Sequence, residues 1–326
     1  MRDLERMTAP DLQAVVEDIL AIRPDVLLVL RFDHDAGGVA AGLLARRLAE
    51  GGLDLHHVFA PRPNSGMRTG IDLDGDGRTG GPADAQGWGY FSGQGGMALL
   101  SRLPIDHAAT RDFTGFLWRD LPDALLPEQD GAPFPSAEAV AVQRLAYVGA
   151  WDVALALPGG GAFHVLATHA QPPIRARAER NLRRNADALR FWRLYLEGWA
   201  PGGAEPFAAA RFALMGTLNV DAHGGDGDRG ALRRLLEHPA LADPRPSSAG
   251  AMAAAVEHGR DPALPGIAEA TVDFTGGRSD LGLMRLDYIL PAAGLVLRGA
   301  GVHWPKETPL RDAPRHRLVW VDVALD

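Results

Sequence analysis

Short unbroken apolar runs alternate along this chain with apolar residues at helical spacing, and the runs are the more numerous. Leu12, Val15, Val16, Ile19 and Leu20 recur at the three- and four-residue steps of one helix face. Thr8 with Asp11 provides a capping-box-like start, and Pro24 stops the segment. Residues 26–30 are continuous, apolar and short, as in a strand covered on both faces. A second helix is expected over 37–50, ended by Gly51 and Gly52, and a strand over 58–60. Further strands are expected over 97–101, 146–157, 163–168, 212–215, 286–290, 296–302 and 318–325. A long helix over 178–199 carries its apolar stripe on Leu182, Leu189, Trp192 and Leu196.

Two stretches interrupt this pattern. Residues 62–96 are rich in Gly, Pro and Asp without any period, which predicts a long functional or ion-bound loop. Residues 241–268, rich in Ala, Pro and Gly, are expected to form a surface excursion rather than a boundary. With no linker dividing the chain, the expectation is one domain over 1–326, a mixed α/β (α+β) fold of two packed sheets flanked by helices.

Composition narrows the function classes. A chain of 326 residues with 46% hydrophobic content can bury a large core, and no run of 18 apolar residues predicts a membrane span. A net charge of -8 argues against broad nucleic-acid binding, though a local basic site stays open. With no cysteine, disulfides and thiolate metal sites are excluded. Met1 to Arg6 carry acids and no apolar core, so no signal peptide is visible there. Localisation and oligomeric state are not legible.

Asp72, Asp74 and Asp76 with Gly77 have the alternating oxygen spacing and sixth-position glycine of a calcium loop. Ala83 stands at position twelve where Glu is wanted, and Asp84 follows as a candidate to close the shell. These four aspartates are the candidate metal ligands, for Ca²⁺ or another hard cation. A flexible acidic turn is the plainer alternative. Seven arginines, Arg175, Arg177, Arg180, Arg183, Arg184, Arg190 and Arg193, crowd the segment after His169. They read either as a phosphate-facing wall or as a solvated helix face with stems packed over apolar surface.

Six stretches together resemble a bacterial branch of the endonuclease/exonuclease/phosphatase superfamily. They are Asp25-Val26-Leu27-Leu28-Val29-Leu30-Arg31-Phe32-Asp33, Gly95-Gly96-Met97-Ala98-Leu99-Leu100-Ser101-Arg102, Thr168-His169, Gly216-Thr217-Leu218-Asn219, Arg285-Leu286-Asp287-Tyr288 and His316-Arg317-Leu318-Val319. The resemblance implies a four-layer sandwich whose active site lies at one end of two facing sheets, with the family's first strand missing from this chain. It also implies phosphoester hydrolysis with one or two divalent cations, Mg²⁺ foremost, held by carboxylates because hard cations take oxygen ligands. A similar acidic loop occurs in that branch, and its relatives are often secreted.

Carried over position by position, His169 matches a histidine that donates to a phosphate oxygen, and Asn219 matches the asparagine of the central turn. Asp287 matches the acid that orients the C-terminal histidine, here His316. These four are the candidate catalytic residues. Three positions depart: Arg31 stands where the metal-binding glutamate belongs, Thr217 replaces the central Asp, and Arg315 replaces the Asp of an Asp-His pair. Replacing three acids by two arginines and a threonine changes the cleft by about five formal charges. At an effective dielectric near 20 a unit pair 4 Å apart interacts by about 4 kcal/mol, so a divalent cation is disfavoured there.

Guanidinium groups instead suit phosphate oxygens. The expected ligand is therefore a phosphate ester or other anion, contacted by Arg31, Arg315 and Arg180, in a copy whose catalysis is impaired. Whether it remains an enzyme is open: the alternative is an active phosphodiesterase or phosphatase using Asp287 and His316, with arginines in place of metal. In the plainer reading Arg31 pairs with Asp33 or Asp35, Arg315 lies on the surface beside Asp312, and neither reaches the cleft.

Overall fold

Two apolar-faced sheets meet front to front, and each is backed by helices. The computed structural model describes residues 10–174, 176–276, 280–304 and 315–325. In chain order its helices are α1 (Pro10–Ile22), α2 (Val39–Glu50), α3 (Ala137–Val142), α4 (Arg180–Leu196), α5 (Arg229–Leu236) and α6 (Ala249–Glu257). The strands are β1 (Val26–Phe32), β2 (His57–Phe59), β3 (Gly96–Ser101), β4 (Ile105–Asp112), β5 (Glu128–Gln129), β6 (Ala132–Pro133), β7 (Ala150–Ala156), β8 (Ala162–His169), β9 (Phe212–Thr217), β10 (Val272–Asp273), β11 (Leu283–Met284), β12 (Asp287–Pro291), β13 (Val296–His303) and β14 (Leu318–Ala324).

One sheet runs β1-β3-β2, all antiparallel. The other runs β12-β9-β8-β7-β4, antiparallel except for the β8/β9 pair. The two-residue side-chain period of a strand divides their apolar residues between layers. From the small sheet, Val26, Leu28, Leu30, Met97 and Leu99 point into the space between the sheets. Leu27, Val29, Ala98 and Leu100 face α1 and α2 on the outside. From the large sheet, Val153, Val165, Ala167, Ala213 and Met215 fill the same central space, whereas Leu166, Phe212 and Leu214 meet α4 and α5. The order is thus helix, sheet, sheet, helix. The β13/β14 hairpin adds Val323 and Leu325 to the central core. Among the described residues no helix is long and apolar enough to cross a membrane.

Most expected elements form close to the anticipated limits. The 146–157 strand starts later, at Ala150, because Leu145 to Val148 are held by side chains at the mouth of the fold. Residues 241–268 hold more than a surface excursion: α6 lies there, capped by Ser248 and burying Ala251, Ala254 and Ala255. Alanines at helical spacing bury too little area each to announce themselves in a hydropathy pattern. Strand β4 escaped because it is a polar edge strand, and α3 and α5 because they are short.

In the β8/β9 ladder Gly216 lies opposite Thr168, with a φ of 135°. A Cβ there would lie 1.9 Å from the Thr168 carbonyl oxygen. Gly216→Ala should therefore destabilise the protein by about 3 kcal/mol. An unchanged denaturation midpoint would refute this account of the strand approach.

Candidate functional site at the end of the sheets

Strand register sets the site. His169 pairs with Thr217 across the parallel β8/β9 ladder, and Thr217 pairs with Asp287 across β9/β12. The three side chains therefore stand in a row on the inner face, at one end of the large sheet. Beyond them the chain turns, with Asn219 at a φ of 56°. Asn219 Nδ2 donates to the Ala170 carbonyl at 2.8 Å, tying the turn after β9 to the loop after β8.

Asp287 is buried and held on several sides. His316 Nδ1 and Thr271 Oγ1 both donate to Asp287 Oδ2 at 2.8 Å. Burial opposes the carboxylate charge, but the attraction and hydrogen bond of His316, with the Thr271 and Thr217 hydroxyls, outweigh it and hold the pKa below 3.8. Burial likewise opposes a charge on His316, yet Asp287 outweighs it and raises that imidazole above 6.5. His169 goes the other way. Burial, with the charges of His316 and Arg31, drives it down to about 3 against the pull of Asp287. Its Nδ1 is buried without a hydrogen-bond partner among the described residues.

Arg31 reaches this end of the fold through a β-bulge. The β1/β3 register shifts between Leu30 and Phe32, and Arg31 itself adopts a φ of 57°. Strict alternation would send residue 31 outward with Leu27 and Val29, so the bulge re-aims it. Its charge acts on His169, His316 and Tyr147. The carboxylates suggested as its partners are otherwise engaged. Asp33 accepts from the Gly95 N–H, and Asp35 accepts from the Val39 and Ala40 N–H groups.

The other two arginines lie elsewhere. Arg315 is exposed, its carbonyl accepts from the Asp273 N–H at 3.2 Å, and its charge is not among those that shift His169 or His316. Arg180 is buried and donates to Gln143 Oε1 at 2.7 Å, with its charge acting on Asp72, Asp74 and Asp84. Asp312, the neighbour suggested for Arg315, falls outside the described residues, as do Thr8 and Arg175.

In the 62–96 loop, Asp72, Asp74 and Asp84 bring carboxylate oxygens within 4.8 Å of one another, so this group could hold a metal ion. Asp76 is not part of it, and its Oδ1 accepts from the Arg78 N–H at 2.8 Å. Asp72 accepts from Gly75 and Gly77, and Asp84 from Leu73 and Gly81, so the loop is already folded on its own amides. Burial and repulsion from Asp76, Asp84 and Asp72 raise the Asp74 pKa.

No comparable group of three His, Asp or Glu ligands forms at the cleft among the described residues. Among the described residues the carboxylate of this row, Asp287, is committed to His316 and Thr271. The side chains present do not fit a divalent ion at that place.

Helix α4 contributes residues that sequence reasoning misjudged. The solvated-face reading fails for Arg180, Arg184 and Asn185, which are all buried. Arg184 donates to the carbonyls of Gln86, Leu145 and Ala146 and to Gln171 Oε1. Asn185 Nδ2 joins the Gln171 and Leu218 carbonyls, fastening the loops that carry His169 and Asn219. One signal was available, since Asn185 falls three residues after Leu182 and four before Leu189, on the apolar stripe. Thr271 and Tyr147 carried no such signal.

A four-layer sandwich with a histidine, an asparagine and an Asp-His pair at one end defines a class of phosphoester-handling folds. The model of the Endonuclease/Exonuclease/phosphatase family matches residues 7–309, and the chain belongs to that family. Comparison with curated proteins gives no match. Among solved structures the chain is similar to an endonuclease/exonuclease/phosphatase from Beutenbergia cavernae DSM 12333, at 17% identity and a TM-score of 0.56, covering 95% of this chain but only 65% of that one. It is also similar to a family protein from Leptotrichia buccalis C-1013-b, at 14% identity and a TM-score of 0.52, covering 97% and 93% of the two chains. A third likeness is to a 3'-5' exonuclease from Neisseria meningitidis, at 15% identity and a TM-score of 0.50, covering 96% and 94%. Likeness at such identities speaks to the fold.

The two histidines predict opposite pH dependences. His169 binds fewer protons folded than unfolded between about 3 and 6.5, so stability falls as pH drops through that window. The slope from this one group is at most about 1.4 kcal/mol per pH unit. His316 contributes stability that is complete below 6.5 and lost as pH rises through its raised value. Urea unfolding between pH 6.5 and 5 should show the His169 slope, and His169→Gln should flatten it. A slope unchanged by that substitution would contradict the assignment.

Proposed function

We propose that the cleft binds a phosphate ester or related oxyanion, with Arg31 and protonated His316 forming its cationic wall and no divalent ion at that place. The observation that carries this reading is the position of Arg31. It makes no hydrogen bond or ion pair among the described residues, yet its charge acts on both His169 and His316. A guanidinium with no carboxylate partner beside an imidazolium favours an anion. Asn219 and His169 complete the wall, and Arg315 and Arg180 take no part. Isothermal titration should detect a phosphate monoester but neither Mg²⁺ nor Mn²⁺ at the cleft. Arg31→Gln should weaken the ester about tenfold or more, the loss of one charge-assisted contact. Affinity should also fall as pH rises through the raised His316 pKa. Tight Mn²⁺ binding that depends on Asp287 would overturn the reading.

A second reading keeps hydrolysis, supported by the 2.8 Å Asp287–His316 hydrogen bond. There His316 removes a proton from the attacking water, and Arg31 offsets charge on the phosphoryl oxygens. The raised His316 pKa weakens this reading at neutral pH, because a base must first be unprotonated. Phosphodiester turnover that survives chelator and disappears in His316→Ala would establish it.

For the loop group we propose a structural Ca²⁺ on Asp72, Asp74 and Asp84, ordering residues 62–96 rather than taking part in chemistry. The 4.8 Å grouping supports it, as does the raised Asp74 pKa, since a cation would relieve the repulsion behind it. Ca²⁺ should raise the melting temperature of the parent protein and leave Asp74→Ala unchanged. No Ca²⁺ effect on the parent would remove this role.

A further inference from the structure

Tyr147 is fixed with unusual thoroughness for a residue just outside a strand. Arg184 Nε donates to the Leu145 carbonyl at 3.0 Å and its Nη2 to the Ala146 carbonyl at 2.8 Å. Asn64 Nδ2 donates to the same Ala146 carbonyl, and the Asn64 N–H to the Val148 carbonyl, both at 2.8 Å. Gly87 packs so closely that a Cβ would lie 1.9 Å from the Tyr147 oxygen. Backbone atoms of residues 145 to 148 are thus held by the neighbouring loop and by α4.

The side chain presented by this fixture stands at the cleft. Its ring meets His169 edge-on, with centroids 5.6 Å apart, and both residues line the same small cavity. The phenol hydroxyl makes no hydrogen bond among the described residues and is not sealed from solvent. The charges of Arg184 and Arg31 both act on it.

Arg184 has a second property. It is 1% exposed, and its partners are carbonyl and amide oxygens, without a carboxylate among the described residues. A buried cation without a counter-ion is costly, and an anion arriving nearby relieves part of that cost. Burial accordingly depresses its pKa to about 9.

We infer that Tyr147 is a ligand-contacting residue, whose hydroxyl donates to an oxygen of the bound oxyanion beside Arg31, and that Arg184 is the positioning residue that fixes it there. This rests on the oxyanion reading of the cleft. A neutral donor within the field of two guanidinium groups adds a directional contact to their undirected attraction. It selects for ligands that offer a free phosphoryl oxygen above His169.

The test uses inorganic phosphate as probe on the full chain at pH 6.5. The protein carries ring-¹³C tyrosine, and Tyr147→Phe assigns its signal among the four tyrosines. Phosphate should move the Tyr147 Cζ resonance, and Tyr147→Phe, which keeps the ring against His169, should weaken phosphate about tenfold. Arg184→Lys should shift that resonance in the free protein and weaken phosphate as well. If it does not fold, Tyr147→Phe decides the contact alone. If phosphate binds and Arg31→Gln weakens it while Tyr147→Phe does not, the Tyr147 contact is wrong and the oxyanion reading stands. If Arg184→Lys folds with both resonance and affinity unchanged, the positioning role is wrong. If the parent binds no phosphate at all, the reading and the inference fall together.

Discussion

A carboxylate kept ionised inside the protein is the constraint on which this site depends. Asp287 is buried at the end of β12, where burial alone would neutralise it. It keeps its charge because His316 and Thr271 both donate to it. In return it raises the His316 pKa above 6.5, and the His316 charge adds to burial in lowering that of His169. One ion pair thus bears on both histidines, and register sets its carboxylate in a row with Thr217 and His169. A one-residue slip in either ladder would turn the row into the helix-facing layer.

Two arginines act near that pair. Arg31 arrives through a bulge, and Arg184 lies behind Tyr147 with only oxygen dipoles for company. In the 62–96 loop Asp72, Asp74 and Asp84 come together and act on the buried Arg180. The net charge of -8 says nothing of where single charges lie.

Much of the fold was legible because its signals are local. Residues 26–30 and 163–168 are short apolar runs, and strands covered on both faces have that composition wherever they occur. The Asp72 to Gly77 spacing likewise foretold a grouping of oxygens, although Asp76 turned to the Arg78 amide instead. Elements resting on weak local signals went unread: β4 with its polar edge and α6 with its alanines. For the site, motif order brought His169, Asn219, Asp287 and His316 into consideration together. It could not separate Arg31, whose charge acts on His169 and His316, from Arg315, whose charge does not. Arg31 owes its direction to a backbone bulge, and bulges leave no mark in residue type.

What the residues determined by themselves was the layered architecture and the family. Hydrophobic period and charge type are properties of single positions, and they survive without knowledge of the fold. Tertiary structure alone decided which arginines face the cleft, that α4 turns buried guanidinium and amide groups onto loop carbonyls, and that Tyr147 is clamped beside His169. Those outcomes depend on distances between segments far apart in the chain, such as Gln86 and Arg184. Burial then gives such pairings their weight, because a polar group removed from water must find its partner wherever the fold has brought one.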